Sequence, residues 1–231
     1  MSLGHHIKLL TMDLDDTLWP CMPTIAHAEK TLYDWLNLNY PLITQHYSLE
    51  DLRHKRKQLV LQQPRLQHDL SAARRVHLQQ LADEFNYGHA WIEDGFKLFH
   101  HARQQVTFYE DVVPVLSQLS LRYRLIALTN GNAHINLVGL GEYFSAQFSA
   151  ADVQAAKPDP AMFCRAMQVA GVSPQQTLHL GDHAVHDIEG AKRAGVTAVW
   201  LNRHSLPWPH ADVVADYEVS SLYGLLELLA S

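Results

Sequence analysis

Cysteine is scarce in this sequence, whose 231 residues include only two, Cys21 and Cys164. Two cysteines so far apart form neither a disulfide framework nor a Cys-x-x-Cys metal site. Long apolar runs are also missing, since no stretch approaches the roughly 20 residues that a membrane-spanning helix needs. The first residues lack the apolar segment of a secretory signal. These absences predict a reduced, cytoplasmic protein that has no membrane partner.

An excess of positive charge is the third feature that the chain lacks. Lys and Arg total 18 against 24 Asp and Glu, which gives a net charge of −6 with the histidines neutral. This balance speaks against a nucleic-acid partner, because nucleic acids bind basic surfaces. Hydrophobic residues make up 47% of the chain and charged residues 18%, as in an ordinary globular protein. The length predicts one domain, or one domain with an insertion. We expect a monomer or small homo-oligomer.

Short apolar runs alternate with helical patterns in the second half of the chain. The first run, Lys8–Asp15, stands apart near the N-terminus and ends in acidic residues. Further strands are predicted at 125–129, 144–148, 177–181, 197–201 and 217–219, and helices at 111–121, 133–140, 160–170, 184–194 and the C-terminus. This alternation predicts an α/β fold, with a parallel sheet that helices cover on both faces.

The stretch from about Thr24 to Gln105, within a segment of residues 20–106, differs in character, because it is polar, poor in glycine and rich in His, Gln, Arg and Leu. Leucines recur at helical spacing at positions 52, 59, 66 and 70. We predict four helices, with a break near Pro64 and a turn near Tyr87-Gly88. Since this block follows the first strand, we interpret it as an all-helical lid inserted into a core formed by residues 1–19 and 107–231.

Polar residues stand at the carboxyl ends of three predicted strands, where open α/β sheets bind their ligands. They are Asp13 and Asp15, then Thr129 and Asn130, then Asp182 and Asp187. If the four carboxylates converge, like charges 4 Å apart cost roughly 4 kcal/mol per pair at an effective dielectric of about 20. Such a cluster raises its own pKa values or binds a cation, and oxygen ligands favour Mg²⁺. The pattern therefore predicts Mg²⁺ and a phosphorylated substrate.

Lys157 and Thr129 fit the same site. A lysine near the crevice neutralises a phosphoryl oxygen, and a hydroxyl with neighbouring backbone N–H groups binds another. Taken singly, Lys157 is more simply a surface lysine and Thr129 a β-branched strand residue. Their order along the chain, together with the acids, favours the functional interpretation.

The order of these motifs resembles the haloacid dehalogenase superfamily of hydrolases. The motifs are Asp-Leu-Asp-Asp-Thr-Leu from residue 13, Leu-Thr-Asn-Gly from 128, Lys-Pro-Asp-Pro from 157 and Gly-Asp-x4-Asp from 181. The match spans residues 8–202, and the helical insertion after the first motif corresponds to the C1 type of cap. The resemblance implies a Rossmann-like core with the first-motif strand at its centre.

The resemblance also implies roles for the matching residues. Asp13 is expected to be the nucleophile that forms an aspartyl phosphate, and Asp15 the general acid and base. Thr129 and Asn130 would orient the phosphoryl group, while Lys157 would offset its charge. The expected holders of Mg²⁺ are the Asp13 carboxylate, the Asp15 backbone carbonyl and the Asp182 carboxylate, with Asp187 acting through water.

Asp15 bears on the type of reaction. Dehalogenases of the superfamily lack an acid two residues after the nucleophile, so Asp15 favours phosphoryl transfer. We expect a Mg²⁺-dependent phosphatase acting on a small phosphorylated metabolite. A phosphosugar mutase of the same superfamily keeps these acids, and a non-catalytic phosphometabolite-binding protein would use the same crevice; both alternatives stay open.

The substrate is less well defined by the sequence. Leu128–Asn132 and the chain length resemble the bacterial flavin mononucleotide phosphatase branch, and a nucleoside monophosphate is the other candidate. Trp35 and Trp91 fall in helical patterns, so we expect them to pack inside the insertion rather than to stack on a flavin. The histidines that flank the last acidic motif, His179, His183 and His186, are interpreted as core or surface residues rather than ligands of a transition metal.

Overall fold

The computed structural model describes residues 3–209 and 212–230, and over these ranges the chain forms one six-stranded sheet in which every pairing is parallel. The strands are β1 (Leu9–Met12), β2 (Arg124–Thr129), β3 (Ala146–Ser149), β4 (Thr177–Gly181), β5 (Thr197–Leu201) and β6 (Tyr217–Val219). Their order in the sheet is β3-β2-β1-β4-β5-β6. The order reverses beside β1, which places the predicted ligand edge at this strand.

The central strands are buried because they are apolar on both faces. All four residues of β1 and all five of β4 are buried, as expected for a parallel sheet with helices on both sides. Met12 pairs with Ala127 of β2 and with Leu180 of β4. This register brings the residues that follow the three strands to one edge of the sheet.

Helices of the sheet-containing unit are α6 (Val112–Leu119), α7 (Ala150–Val153), α8 (Ala161–Ala170), α9 (Gly190–Arg193) and α10 (Leu222–Ala230). A π-helical segment, Ala184–Glu189, precedes α9. On α8, Met162, Phe163 and Ala166 are buried in a core that also contains Leu9 of β1. No described helix is both long and apolar enough to cross a membrane.

The predicted helix at 133–140 is wrong, because the structure has a series of turns there. The side chain of Gln147 accepts a hydrogen bond from the Ile135 amide at 2.8 Å and donates one to the Ala133 carbonyl at 2.7 Å. Gly139 has a φ of +88°, outside the helical region. The Ala133 carbonyl, which a helix would pair with a later backbone N–H, is thus bonded to a side chain, and the segment stays irregular.

Residues 21–106 form a second compact unit, and residues 1–20 with 107–231 form the first. The predicted boundary lay between residues 19 and 20, one position earlier. The helices of the second unit are α1 (Cys21–Asn39), α2 (Pro41–His46), α3 (Leu49–Gln62), α4 (Leu70–Glu84) and α5 (Ile92–Arg103). The additional helix relative to the prediction is α2, which begins at Pro41 because proline suits the first helical position and cannot continue the preceding helix.

Aromatic side chains form the centre of this helical unit. Tyr40 stacks on Trp91 with ring centroids 4.5 Å apart, and Trp35 lies 5.3 Å from Tyr40 and 6.0 Å from Trp91. The two tryptophans therefore pack inside the unit, as predicted. The break near Pro64 is a single 3-10 turn, Pro64–Leu66, and the turn after α4 contains Gly88 with a φ of +67°.

A buried glutamate is the main polar feature of the helical unit. Glu29 of α1 is 3% exposed and accepts hydrogen bonds from Arg53 and Arg56 of α3. Arg74 of α4 lies 3.6 Å from the same carboxylate and places its guanidinium 3.3 Å from the centroid of Phe99. The carboxylate thus links three helices of this unit through one charge.

Candidate active site

The polar residues predicted from the strand ends meet at the carboxyl edge of the sheet. Met12 pairs with Ala127 and with Leu180, so the residues that follow these three lie at the same edge of the sheet. Asp13 directly follows Met12, while Thr129 and Asp182 lie two residues beyond Ala127 and Leu180. The backbone N–H of Asp13 donates to the Leu180 carbonyl at 3.0 Å, which continues the pairing by one residue.

The Lys157 ammonium group is the centre of the cluster. Its Nζ donates to Asp13 Oδ1 at 2.6 Å, to Asp187 Oδ1 at 2.6 Å and to the Leu128 carbonyl at 2.8 Å. These three acceptors use all three ammonium hydrogens. Lys157 is 2% exposed, so its charge is compensated by two carboxylates rather than by water.

Asn130 holds the backbone of Lys157 in place. Its Oδ1 accepts from the Lys157 backbone N–H at 2.8 Å, and its Nδ2 donates to the Lys157 carbonyl at 3.0 Å. The Asn130 side chain is therefore directed at the lysine backbone. Thr129 Oγ1 accepts the Gly131 N–H at 2.9 Å, which shapes the turn after β2.

Asp187 is held on all sides. Its Oδ1 contacts Lys157 and also lies 3.2 Å from Nε2 of His179, while its Oδ2 accepts the His183 backbone N–H at 3.0 Å. A Cβ at Gly181 would lie 2.2 Å from Cγ of Asp187, so this position requires glycine. The glycine of the Gly-Asp motif thus makes room for the second acid of the same motif.

His179 fixes Asp187 from within the sheet. This residue of β4 is fully buried, and its Nδ1 lies 2.9 Å from Oγ1 of Thr11 on β1. Burial lowers the pKa of His179 despite the contact with Asp187, so the ring is neutral. A neutral ring that donates from Nε2 to Asp187 accepts at Nδ1 from the threonine hydroxyl, and both contacts are satisfied by one tautomer.

The three acids Asp13, Asp182 and Asp187 and the Lys157 ammonium shift one another's pKa values. Burial raises the pKa of Asp13 well above its usual range, and Asp187 and Asp182 add to this rise while Lys157 opposes it. Burial also acts to raise the pKa of Asp187, but Lys157 and His179 outweigh it and hold this pKa below its ordinary value. Burial alone would lower the pKa of Lys157, but Asp13 and Asp187 raise it, so the amine stays protonated.

Three carboxylates form a candidate cation site. One oxygen from each of Asp13, Asp182 and Asp187 lies within 4.8 Å of the other two. Burial, followed by the charges of Asp187 and Asp16, raises the pKa of Asp182 to about 7. Lys157 supplies one positive charge against three acids, so the site carries a net negative charge when all three are ionised. Oxygen donors with uncompensated negative charge suit Mg²⁺.

The loop of residues 14–19 carries Asp15. The Nε1–H of Trp19 donates to Asp15 Oδ1 at 2.9 Å, and Trp19 is fully buried. The Thr17 hydroxyl donates to Asp182 Oδ1 at 3.4 Å, which connects this loop to the second acidic motif. Asp16 adopts a φ of +59° and so makes the sharp turn of the loop.

His183 and His186 lie beside the cluster and stack on each other with ring centroids 4.0 Å apart. His183 Nδ1 accepts the backbone N–H groups of Val185 and His186 at 3.2 and 3.1 Å, so its role is to cap the π-helical segment. Within the part of the chain that the structure describes, the candidate metal-binding group contains carboxylates and no histidine.

Several contributors carry no sequence signal that we identified. The contact of Thr11 with His179, which in turn contacts Asp187, joins residues 168 positions apart, and the Asn130 clamp joins residues 27 apart. Trp200 Nε1 donates to the Asp182 carbonyl at 2.7 Å from the neighbouring strand. The alternation of polar and apolar residues gives no indication of such pairs, because each depends on the sheet order.

Comparison with known proteins places the chain in a family. It belongs to the haloacid dehalogenase-like hydrolases, whose profile matches residues 7–195. This membership confirms the family predicted from the four motifs, and the parallel sheet confirms the predicted α/β fold.

Two relatives that are named for different activities share nearly the whole length of the chain, and a third shares about half of it. The 5-amino-6-(5-phospho-D-ribitylamino)uracil phosphatase YigB of Escherichia coli is 30% identical over 96% of both chains. The crystal structure of a 2-haloacid dehalogenase from Pseudomonas syringae superposes with a TM-score of 0.90 at 37% identity and covers 97% of this chain and 98% of that one. Human N-acylneuraminate-9-phosphatase is 33% identical over about half of each chain, 55% and 54%.

Proposed function

We propose that the protein is a Mg²⁺-dependent phosphomonoesterase that forms an aspartyl phosphate on Asp13. The position of Asp13 carries this proposal. Its Oδ1 is fixed by Lys157, while Oδ2 accepts no hydrogen bond from the residues that the structure describes. A carboxylate with one oxygen fixed and the other directed to no donor suits a nucleophile. Asp15, two residues further on, supplies the acid that a phosphatase needs and that dehalogenation does not.

The reaction has two steps. In the first, an oxygen of the Asp13 carboxylate attacks phosphorus, the bond from phosphorus to the leaving oxygen breaks, and Asp15 protonates that oxygen. In the second, Asp15 takes a proton from water, whose oxygen attacks the aspartyl phosphate and releases inorganic phosphate and the Asp13 carboxylate. Lys157 opposes the rise in the pKa of Asp13 and so favours the ionised form of this carboxyl. The Thr129 hydroxyl would orient the transferred group.

The acidic cluster indicates how the chain would hold Mg²⁺. Asp13 and Asp182 would provide carboxylate oxygens, joined by the Asp15 backbone carbonyl. Both oxygens of Asp187 already accept hydrogen bonds, from Lys157, His179 and the His183 amide, so this acid would act through water. When bound, Mg²⁺ supplies positive charge that stabilises the phosphoryl oxygens in the transition state. The helical unit, residues 21–106, would serve as a C1-type cap that recognises the leaving group.

Two candidate substrates, one from a relative and one from the sequence, share a chemical group that defines a substrate class. The E. coli relative is named for a phosphate ester at the end of a ribityl chain on a pyrimidine. Flavin mononucleotide, the candidate from the sequence, carries the same phosphoribityl chain on a larger nitrogen heterocycle. We therefore propose a phosphoribityl heterocycle as the substrate, with nucleoside monophosphates as the next class to test.

Cleavage of a carbon–halogen bond is a second candidate function, favoured by the similarity to the Pseudomonas syringae dehalogenase structure. Asp15 separates the two, because displacement of a halide by Asp13 leaves an ester and needs no proton donor to the leaving group. A dehalogenase would therefore retain the halide-releasing step in an Asp15→Asn variant, whereas a phosphatase would lose its first step.

The test measures phosphate and halide release from one panel of compounds. The panel contains flavin mononucleotide, nucleoside monophosphates, sugar phosphates and 2-chloropropionate, each assayed with Mg²⁺ and with EDTA. Mg²⁺-dependent phosphate release that is abolished in Asp13→Asn and unchanged in Asp212→Asn, an exposed control, is the expected result. Halide release without phosphate release would replace the proposal with the second candidate. Full phosphatase activity in a correctly folded Asp13→Asn variant would refute the mechanism.

A further inference from the structure

We infer that Arg203 is a positioning residue, which holds the loop of residues 14–19 and thereby the proton donor Asp15 in its working place. Arg203 lies 21 positions after the Asp182 motif and belongs to none of the four motifs. The inference rests on the proposed function for its effect on turnover, and on contacts within the sheet-containing unit for its effect on the loop.

Arg203 uses its guanidinium to join two parts of the chain. Its Nε and Nη2 donate to the Thr17 carbonyl at 3.3 and 3.1 Å, while Nη1 and Nη2 donate to the two oxygens of Asp111, each at 3.0 Å. The guanidinium also lies 4.1 Å from the ring centroid of Tyr109. A planar fork that bonds two acceptors and stacks on a ring has a geometry that lysine does not reproduce.

Asp111 is itself fixed, so the fork has a firm base. This residue precedes α6 and is 5% exposed. Besides the two contacts with Arg203, its Oδ2 accepts the Leu222 backbone N–H at 2.7 Å, at the start of α10. Arg203 therefore connects the loop to both α6 and α10.

The loop needs such external contacts. Two backbone hydrogen bonds lie within it, from Leu18 N–H to the Leu14 carbonyl at 2.8 Å and from Asp16 N–H to the Trp19 carbonyl at 2.7 Å. Asp16 has a left-handed φ of +59°, a conformation that costs a residue other than glycine roughly 1–2 kcal/mol. Strained backbone of this kind persists where the surroundings fix it.

Thr17 transmits the effect of Arg203 to the reacting groups. Its carbonyl accepts from Arg203, and its hydroxyl donates to Asp182 at 3.4 Å. Two residues away on either side stand Asp15 and Trp19, which are joined by the indole hydrogen bond. A shift of Thr17 therefore displaces the proton donor and loosens one contact of the acidic cluster. Arg203 acts through these residues and not on the phosphoryl group.

The experiment compares Arg203→Lys and Arg203→Gln with Arg124→Lys. Arg124 is a matched control because its guanidinium also donates to a backbone carbonyl, that of Val169, at 3.0 Å. Arg124 is the first residue of β2, at the end of the strand away from the acidic cluster. In the Arg203 variants we expect kcat to fall about 10- to 100-fold with KM within about threefold, since displacement of a reacting group by about 1 Å has effects of this size. The control should keep both constants within twofold.

Amide hydrogen exchange gives a readout that does not depend on turnover. Peptides covering residues 14–19 should exchange at least tenfold faster in both Arg203 variants and at the wild-type rate in Arg124→Lys. Wild-type exchange in these peptides would overturn the inference, as would an unchanged kcat. If Arg203→Gln does not fold, Asp111→Asn, which weakens the same fork, provides the measurement.

Failure of the inference is distinguishable from failure of the proposed function. If the wild-type protein releases no phosphate from any ester, the proposed function is refuted, and hydrogen exchange alone then decides the role of Arg203. If the wild-type protein is an active phosphatase and the Arg203 variants match it, the proposed function stands and the positioning role is refuted.

Discussion

Replacement of Lys157 by methionine should destabilise the protein strongly at pH 7 and much less at pH 5. The substitution preserves most of the side-chain volume but removes the positive charge that separates Asp13 from Asp187. Both carboxylates accept the ammonium at 2.6 Å, and Lys157 is almost completely buried, so water does not replace the lost partner.

The size of the effect follows from the geometry. Oxygens of Asp13 and Asp187 lie within 4.8 Å of each other, and two unit charges at that distance repel by roughly 3 kcal/mol at an effective dielectric of about 20. Removal of one partner from a buried ion pair costs about 3–5 kcal/mol in general. We therefore expect the free energy of unfolding to fall by about 3–5 kcal/mol at pH 7, a large part of a typical total of about 5–15 kcal/mol.

The pKa shifts determine how the stability difference between variant and wild type changes with pH. In the wild-type protein Lys157 helps to hold the pKa of Asp187 below its ordinary value, which stabilises the folded state above that value and is lost as the pH falls through the folded-state pKa. Without Lys157, the pKa values of Asp13 and Asp187 both rise in the folded state. Protonation at lower pH then relieves the repulsion, so the difference between variant and wild type shrinks.

Urea-induced unfolding in EDTA at pH 7 and pH 5 measures both quantities. Lys192→Met is the matched control, because Lys192 forms an ion pair with Asp216 in which both side chains are about one third exposed, 36% and 34%. Such a pair contributes at most about 1 kcal/mol. A Lys157→Met variant as stable as the control at pH 7, or a deficit of equal size at both pH values, would contradict this account of the cluster.

Three further predictions concern other buried polar groups. In EDTA, thermal stability should fall as the pH rises from 4 to 7. Burial and two neighbouring carboxylates raise the pKa of Asp182 to about 7, so the folded state keeps a proton that the unfolded chain releases. The Asp182→Asn variant should therefore show a flatter dependence of thermal stability on pH. Glu29→Gln should cost about 3–5 kcal/mol in urea unfolding, since it leaves three arginines without their buried partner, whereas Glu93→Gln, in an exposed pair with one arginine, should cost at most about 1 kcal/mol. His179→Leu should weaken Mg²⁺ affinity or turnover about 10–100-fold, as loss of a residue that orients an acidic ligand does, and a magnesium titration with unchanged affinity and turnover would contradict the role assigned to this ring.

The sheet was predictable to a large extent because its strands are short apolar runs between glycines, prolines and acids. The strands β1, β4, β5 and β6 each fall within a stretch assigned from the sequence, and β2 begins one residue before its predicted start at 125. Two helical regions were harder to predict from the sequence. The segment at 133–140 is apolar enough for a helix, but Gln147 bonds its backbone from outside, and such a contact has no signature in local sequence. The break at Pro41 divides a helical pattern in which the sequence of polar and apolar residues shows no interruption.

The composition of the candidate site was predictable, but the contacts within it were not. Asp13, Asp182, Asp187 and Lys157 converge as the motifs predicted, while the roles assigned to them stay predictions. The side chain of Asn130 clamps the Lys157 backbone, a contact that the motif did not indicate, while its predicted part in orienting a phosphoryl group stays a prediction. Register explains the difference: a motif specifies which residues follow a strand, whereas sheet order specifies which neighbours they meet.

Local sequence was enough to establish the class of fold, the family and the set of acids, because these depend on motifs at strand ends that are contiguous in the chain. The partners that restrain those acids became visible only in the folded protein. His179 reaches Asp187 from the interior of β4, and Arg203 reaches Thr17 across 186 positions of sequence. Both contacts depend on the parallel packing of strands that are distant in the chain, and packing between distant segments leaves no periodic pattern in either segment.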